Sequence, residues 1–235
     1  MNLRSAEAPA RRALIAALSA VLMSLPAAAG FAQSLDTPSP VPVDAGRKRL
    51  GDVTVHGGVY LPVNTSGASA ALGMRVSGVV APQLSAGLSL DWYFNASNTL
   101  GNAGQPLPSS VYTPHQVLGN SMTQLLPVMA FLQLAPWPHA GLSPYAGVGA
   151  GYEWLRSSAN NYQTNYSFAA TFSNWAWSSW AGLGLRLSRE LRLDGEAYYN
   201  AGQLGRDIKD ANGVLSREVV SVNGAGVRFG LNVGF

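Results

Sequence analysis

The 235-residue sequence contains no cysteine and few charged residues. Without cysteine there is no disulfide framework, zinc ribbon, thiol nucleophile or cysteine-ligated cluster. Charged residues make up 11% of the chain, whereas an average soluble domain has about 25%. Hydrophobic residues nevertheless account for 47%, which excludes a charge-rich disordered segment. The sequence therefore belongs to a folded protein with unusually little charge.

Residues 1–32 have the pattern of a secretory signal peptide. Arg4, Arg11 and Arg12 precede an uncharged apolar stretch, and small residues follow Pro26. This order is typical of a secretory leader, and we predict cleavage after either Ala29 or Ala32. An uncleaved anchor is disfavoured, because the apolar stretch is shorter than the roughly 20 residues that cross a bilayer.

Removal of the leader changes the charge of the protein. Three of the 15 basic residues and one of the 12 acidic residues lie within positions 1–32. The mature chain is therefore nearly neutral, and the sequence predicts no nucleic-acid partner. Residues 33–52, with Pro38, Pro40 and Pro42, are predicted to form an extended periplasmic linker. The folded domain is predicted to span residues 53–235.

Eight segments of this domain alternate between apolar and polar residues, as β-strands with two different faces do. No run of 18 apolar residues occurs in it. The pattern predicts an all-β, antiparallel barrel, either soluble with an apolar interior or membrane-spanning with an apolar exterior. The predicted strands cover residues 53–61, 71–80, 84–95, 123–134, 143–155, 173–187, 191–201 and 219–235. The fourth is the least regular, because Leu125, Met129 and Phe131 fall on its polar face.

The lengths of the connections favour the membrane-spanning barrel. Bacterial outer-membrane barrels have short periplasmic turns and long extracellular loops. Here short connections at 81–83, 135–142 and 188–190 alternate with long ones at 62–70, 96–122, 156–172 and 202–218. A soluble barrel has no reason to sort its loops in this way.

Aromatic residues of the apolar face gather at the strand ends nearest the long loops. Such a position is typical of an interfacial girdle, where each ring lies between lipid headgroups and hydrocarbon. The predicted girdle consists of Trp92, Phe94, Tyr152, Trp154, Trp175, Trp177 and Tyr199.

Two segments carry a resemblance to a known family. The last strand has apolar residues at every second position and resembles the C-terminal signature read by the barrel-assembly machinery; these residues are Val227, Phe229, Leu231, Val233 and Phe235. The segment 143–152, with Pro144, Tyr145 and alternating glycines, resembles a strand common in small outer-membrane β-barrels related to the OmpA and OmpX types. The resemblance implies an eight-stranded up-and-down transmembrane barrel in a Gram-negative outer membrane, in contact with lipid and lipopolysaccharide and inserted by that machinery.

Four basic and four acidic residues are predicted to face the lumen. An eight-stranded barrel is just wide enough for side chains to fill its interior, and a charge removed from water requires a partner. We therefore predict a plug of ion pairs, with Arg75 close to Asp91 and Glu196 close to Arg228. The full set is Arg75, Asp91, Glu153, Arg186, Arg192, Asp194, Glu196 and Arg228.

The sequence predicts neither catalysis nor a cofactor. A lipid A deacylase needs a serine and a histidine on the lipid-facing surface, whereas His56 has lumenal parity and His139 lies in a predicted periplasmic turn. An omptin-type protease needs acid and histidine pairs above the rim. His115, Asp207 and Asp210 lie in suitable loops, but omptins have ten strands and this sequence has eight.

The predicted function is structural, in the integrity of the cell envelope, and the predicted state is a monomer. One alternative is surface adhesion or host-factor binding through the loops. Residues 160–168 are uncharged and rich in amides and tyrosine, a composition suited to contact surfaces. The same stretch is also compatible with a hairpin extension of two strands. A second alternative is a narrow diffusion pore, which the balanced lumenal charges disfavour.

Overall fold

The alternating segments are β-strands in a computed structural model that describes residues 50–63, 67–100, 117–162, 164–209 and 213–235. The predicted leader and linker residues 1–49 lie outside this part. No helix in the described ranges is long and apolar enough to cross a membrane. The nine described strands are β1 (Gly51–Pro62), β2 (Ser69–Ala81), β3 (Leu84–Leu100), β4 (Val117–Leu134), β5 (Leu142–Asn161), β6 (Tyr166–Arg186), β7 (Leu191–Lys209), β8 (Leu215–Ser221) and β9 (Gly224–Gly234).

The strands form a closed antiparallel ring. Each of β1 to β6 pairs with the next strand, β7 pairs with β9, and β9 pairs with β1 along residues 52–62. Strand β8 pairs only with the outer part of β7, and a break at Val222 and Asn223 separates it from β9. The closed ring consists of β1 to β7 and β9, so the prediction of an eight-stranded up-and-down barrel is confirmed. Residues 215–218 of β8 fall in the predicted long loop 202–218, so that part of the loop prediction is wrong. Strand β1 starts at Gly51, two residues before the predicted start of the barrel.

The outer surface of the ring is apolar and its interior contains the charges. On β9 the side chains of Val227, Phe229, Leu231 and Val233 are 45–67% exposed. Arg228, on the opposite face, is buried. A soluble barrel would have the reverse arrangement, because water would then contact the outer surface. The barrel is therefore a membrane-spanning one.

The fourth strand obeys the same alternation. Leu125, Met129 and Phe131 are buried in the lumen, so apolar side chains occupy part of the interior. Pro127 lies between them and is also buried. Proline has no backbone N–H to donate, and the β3–β4 pairing is interrupted between Val128 and Leu125.

Six strands, β3 to β8, continue past the girdle, at what we call the hairpin end of the barrel. Strands β3 and β4 stay paired up to Leu100 and Val117, so the two ends of the predicted long loop 96–122 are strand. Strands β5 and β6 stay paired up to Asn161 and Tyr166, so the hairpin extension is confirmed and the predicted long loop 156–172 is wrong. Asn165 has φ 51° in the connecting turn, a left-handed conformation that asparagine tolerates. Seven residues of tilted strand separate Trp154 from Asn161, so the hairpin rises about 18 Å above the girdle. Strands β7 and β8 form a second projecting hairpin.

Candidate functional site

The lumen contains a network of buried charges centred on Glu196. Arg75 donates two hydrogen bonds to this carboxylate, at 2.8 Å and 3.0 Å. Arg228 donates from Nε to Oε1, and the Tyr145 hydroxyl donates to Oε2 at 3.2 Å. The paired side chains of Arg75, Arg228 and Glu196 are only 3–6% exposed. One carboxylate therefore compensates two buried guanidinium groups.

Asp91 is the second acceptor in the network. It accepts a hydrogen bond from Arg228 Nη1 at 2.9 Å, and its Oδ1 lies 2.5 Å from His56 Nε2. Arg228 thus bridges both carboxylates. The predicted proximity of Glu196 and Arg228 is observed, but the predicted Arg75–Asp91 pair is not, because Arg75 reaches across the lumen to Glu196 instead.

Aromatic rings cover the two arginines of the network. The Arg75 guanidinium lies 4.0 Å from the ring centre of Trp180, and that of Arg228 lies 4.6 Å from Tyr198. Trp180 also donates from Nε1 to Gln133 at 3.1 Å. A cation over an aromatic face is stabilised by the ring quadrupole, more so when both are removed from water. These rings fill the lumen beside the charges and hold the guanidinium groups in place.

Small residues make room for these rings. A Cβ atom at Gly147 would lie 2.5 Å from the Trp180 ring, and one at Gly226 would lie 2.6 Å from the Tyr198 ring. Two lumenal glycines therefore leave the space that the largest side chains need. Glycine at these two lumenal positions therefore has a direct steric cause.

Arg192 and Asp194 form a separate pair nearer the short-turn end of the barrel, where β9 finishes. Arg192 donates two hydrogen bonds to Asp194, at 2.6 Å and 3.1 Å. Arg186 lies at the rim and donates to the carbonyl oxygen of His139 at 3.2 Å. Among the described contacts Arg186 has no carboxylate partner, so its predicted place in the ion-pair plug is wrong. The reason is that β6 ends at Arg186, beside the turn.

Glu153 has no cation beside it in the described part of the chain. Its side chain is fully buried, and its polar neighbour is the amide of Asn200, itself only 1% exposed. The prediction that Glu153 belongs to an ion pair is therefore wrong for the described residues. Glu153 lies above the charge network, where the neighbouring lumenal residues Leu125 and Leu155 are apolar.

Replacing Glu153 with glutamine is expected to raise the free energy of unfolding by about 1–3 kcal/mol in mildly alkaline solution, because a buried charge that no described cation compensates is removed. Urea titration of the protein in detergent micelles measures this change. Glu190→Gln, in an exposed turn, is the matched control and should change the value by no more than about 0.5 kcal/mol. A clear loss of stability in Glu153→Gln would show that the carboxylate has a stabilising partner.

A stack of three tyrosines closes the lumen between the charge network and the hairpin end. The ring centres of Tyr60 and Tyr93 are 4.6 Å apart, and Tyr198 lies 6.2 Å and 6.1 Å from them. The Tyr60 hydroxyl donates to the carbonyl oxygen of Val222, at the break between β8 and β9. The stack is therefore attached to the wall as well as packed across the interior.

Beyond the girdle, the interior of the barrel becomes apolar. A buried cluster there, which we call the apolar cap, includes Leu125, Leu155, Phe172, Leu204 and Val222. Strand pairing aligns three of them, since Leu125 faces Leu155 and Leu155 faces Phe172. The cap fills the lumen where water, rather than lipid, surrounds the outside of the barrel.

The predicted girdle residues lie on the outer surface near the hairpin end. The four tryptophans are 41–70% exposed, and the other three rings are half-buried among neighbours. Two pairs of these rings meet within one strand, with centres 4.9 Å and 5.7 Å apart, and two pairs meet between adjacent strands, at 6.0 Å and 6.1 Å. The predicted girdle therefore lies along the wall and faces outward; its residues are Trp92, Phe94, Tyr152, Trp154, Trp175, Trp177 and Tyr199.

The other candidate residues do not form a reactive cluster in the described part of the chain. His56 is held by Asp91 inside the lumen, and Asp207 pairs in register with Arg217 on the outer surface. His115 and Asp210 lie outside the described residues. Across the described ranges, no three histidine or acidic side chains come together to hold a metal ion.

Comparison with known proteins identifies the fold. No family model matches the sequence, and no curated protein does. Outer membrane protein OprG from Pseudomonas aeruginosa is 14% identical with a TM-score of 0.50, over 80% of this chain and 97% of that one. Neisserial surface protein A is 11% identical with a TM-score of 0.49, over 79% and 96%. Outer membrane protein W from E. coli is 13% identical with a TM-score of 0.46, over 80% and 100%. The fold is that of the small outer-membrane β-barrels of Gram-negative bacteria.

Proposed function

We propose that this outer-membrane β-barrel is a closed, monomeric structural component of the cell envelope. The observation that carries the proposal is the filling of its lumen. Charge network, tyrosine stack and apolar cap follow one another between the short-turn end and the hairpin end. Each layer is made of side chains from several strands of the ring, so the layers also hold the wall together.

The size of the remaining lumenal space supports closure. The void beside the charge network, lined by residues such as Thr54, Ser77 and Gln133, has a volume of about 10 Å³. That is room for about one water molecule. Ions crossing the membrane would need a continuous water-filled path, so the alternative of a narrow diffusion pore has less support.

Single-channel recording tests the closed lumen. Purified full-length protein in a planar bilayer is expected to show no steady conductance above that of the bilayer alone. Trp180→Ala, which empties the centre of the lumen, is the comparison variant and should produce conducting events or noise. Heat-modifiable gel migration verifies that both proteins are folded. Steady wild-type conductance of a nanosiemens or more would overturn the proposal.

The proposal assigns no catalytic residue and no cofactor to the barrel. It is supported by the positions of the candidates on which a reaction could depend. His56 is enclosed in the lumen, and His139 lies in a turn at the short-turn end, away from the hairpins. A structural barrel needs neither group for chemistry.

Surface contact is a second candidate function, favoured by the tip of the β5–β6 hairpin. Tyr162 and Tyr166 are 58% and 61% exposed, in a stretch without charges. Deleting this hairpin would also remove Phe172 and neighbouring parts of the apolar cap. The double variant Tyr162→Ser, Tyr166→Ser tests contact without that damage. It should abolish binding of intact cells to a host-cell layer while leaving gel migration unchanged, and unchanged cell binding would remove this candidate.

A further inference from the structure

A groove on the outer wall of the barrel lies at the level of the girdle and has no role in closing the lumen. Its volume is about 430 Å³, and it is lined by Ala150, Trp175, Trp177, Ala201 and Gln203, among others. It is an open depression on the outer wall rather than an enclosed pocket.

The groove exists because the wall is locally incomplete. Strands β6 and β7 pair at Ser173 with Gly205 and again at Ala176 with Gly202, but not between these positions. The Asn174 side chain donates to the Gln203 carbonyl oxygen there, at 2.9 Å. Small residues therefore form the floor of the groove, while large rings stand beside it.

The lining of the groove suits a hydrocarbon chain. Trp175 and Trp177 are 70% and 50% exposed, and the alanines beside them leave a shallow depression. Aromatic rings at this level lie between headgroups and hydrocarbon. A lipid acyl chain in the groove would contact rigid rings on one side and the barrel wall beneath.

Two arginines lie just above the groove, Arg156 on β5 and Arg217 on β8. Arg217 lies over Gly205, since its Nε would be 2.7 Å from a Cβ at that glycine. Arg156 is paired with Thr171 on the other side of β6, and both arginines are exposed. Two strand spacings and a two-residue offset separate the backbone of Arg156 on β5 from that of Gly205 on β7, which lies beneath the Arg217 side chain, so these two sites are about 12 Å apart. Ser173 lies on β6 between them, and its hydroxyl group is 3.1 Å from that of Tyr152.

The neighbouring carboxylate limits where an anion can bind. Asp207 is opposite Arg217 in register, one step farther from the membrane than Gly205. An anion is therefore favoured on the membrane side of Arg217, over Gly205 and Ser173. That position is directly above Trp175, so an anionic headgroup and an apolar groove adjoin each other.

We propose that this face binds a phosphorylated glycolipid of the outer leaflet, with a phosphate between Arg156 and Arg217 and an acyl chain in the groove. The ligand combines the two chemistries that adjoin here, charge-assisted phosphate binding and burial of hydrocarbon. A free anion would leave the groove empty. The proposal rests on the outer-membrane placement of the barrel, with the hairpin end outside.

The test measures binding of bisphosphorylated lipid A to the purified full-length protein in zwitterionic detergent, by native mass spectrometry. One retained lipid A molecule per barrel is expected. The double variant Arg156→Gln, Arg217→Gln should weaken retention at least about ten-fold, since two charge-assisted contacts are lost. Lys209→Gln, an exposed cation on β7 farther from the girdle, is the matched control and should bind like wild type.

A second pair of variants tests the groove. Ala201→Leu fills it and is expected to weaken retention, whereas Ala146→Leu places the same group on the lipid face of β5 outside the groove. Dephosphorylated lipid A and phosphatidylcholine should both be retained less than bisphosphorylated lipid A.

Equal retention by wild type and the double arginine variant, or equal retention of dephosphorylated lipid A, would overturn the proposed site. So would competition by inorganic phosphate alone, which would indicate a simple anion site. These failures leave the closed lumen untouched, because its test is conductance. Conversely, a conducting wild-type barrel would not affect the lipid measurements.

Discussion

Replacing Glu196 with glutamine is expected to lower the free energy of unfolding by about 3–5 kcal/mol, because removing one partner of a buried ion pair leaves the other charge uncompensated. Arg75 would lose the carboxylate that accepts both of its hydrogen bonds. Arg228 would keep Asp91. The loss therefore falls mainly on the contact across the lumen between β2 and β7.

Urea titration of the refolded protein in detergent micelles measures this effect, and gel migration of heated and unheated samples gives an independent view of it. Glu218→Gln is the matched control, since Glu218 pairs with Arg206 at 2.6 Å but is 42% exposed. An exposed ion pair contributes about 0–1 kcal/mol. Similar losses of unfolding free energy in the two variants would show that the buried Glu196 network stabilises the protein no more than an exposed ion pair does.

Replacing Leu204 with alanine is expected to cost about 2–5 kcal/mol, the range for a buried leucine whose removal leaves a cavity. Leu204 is fully buried in the apolar cap. Hydrogen exchange should increase first in the projecting parts of β5 to β8, because the cap packs their inner faces.

Leu215→Ala provides the control for this prediction. Leu215 lies on β8, also near the hairpin end, but is 66% exposed. Its truncation should change the free energy of unfolding by no more than about 0.5 kcal/mol. If both leucine variants were equally stable, the packing of the apolar cap would not be what stabilises the projecting hairpins.

The faces of the strands could be predicted from the sequence because a period of two requires no knowledge of neighbouring strands. The partners across the lumen could not. Arg75 and Glu196 come from strands that are not adjacent in the ring, and their meeting depends on strand tilt and stagger. Parity places a charge inside the barrel, but it does not give the height of that charge.

The projecting hairpins were harder to predict for a different reason. Above the girdle, water contacts the outer face, so polar residues such as Ser158 and Asn160 replace lipid-facing ones. The interior becomes apolar at the same level, as Leu155 and Phe172 show. There the outer face is polar and the inner face is apolar, the reverse of the arrangement in the membrane. The alternation that identifies lipid-facing strands therefore ends at the girdle, and the strands that continue beyond it resemble loops in sequence.

The pairing of β1 with β9 has a consequence for the order of assembly. These strands are joined in register from Asp52 with Gly234 to Pro62 with Gly224, although almost the whole domain separates them in sequence. Until β9 pairs with it, β1 has an open edge, and unpaired edges bind other strands. Contacts between such distant segments also form slowly, since the intervening chain must first be ordered. Pairing with β9 therefore both completes the wall and removes the edge at which two unfinished copies could join.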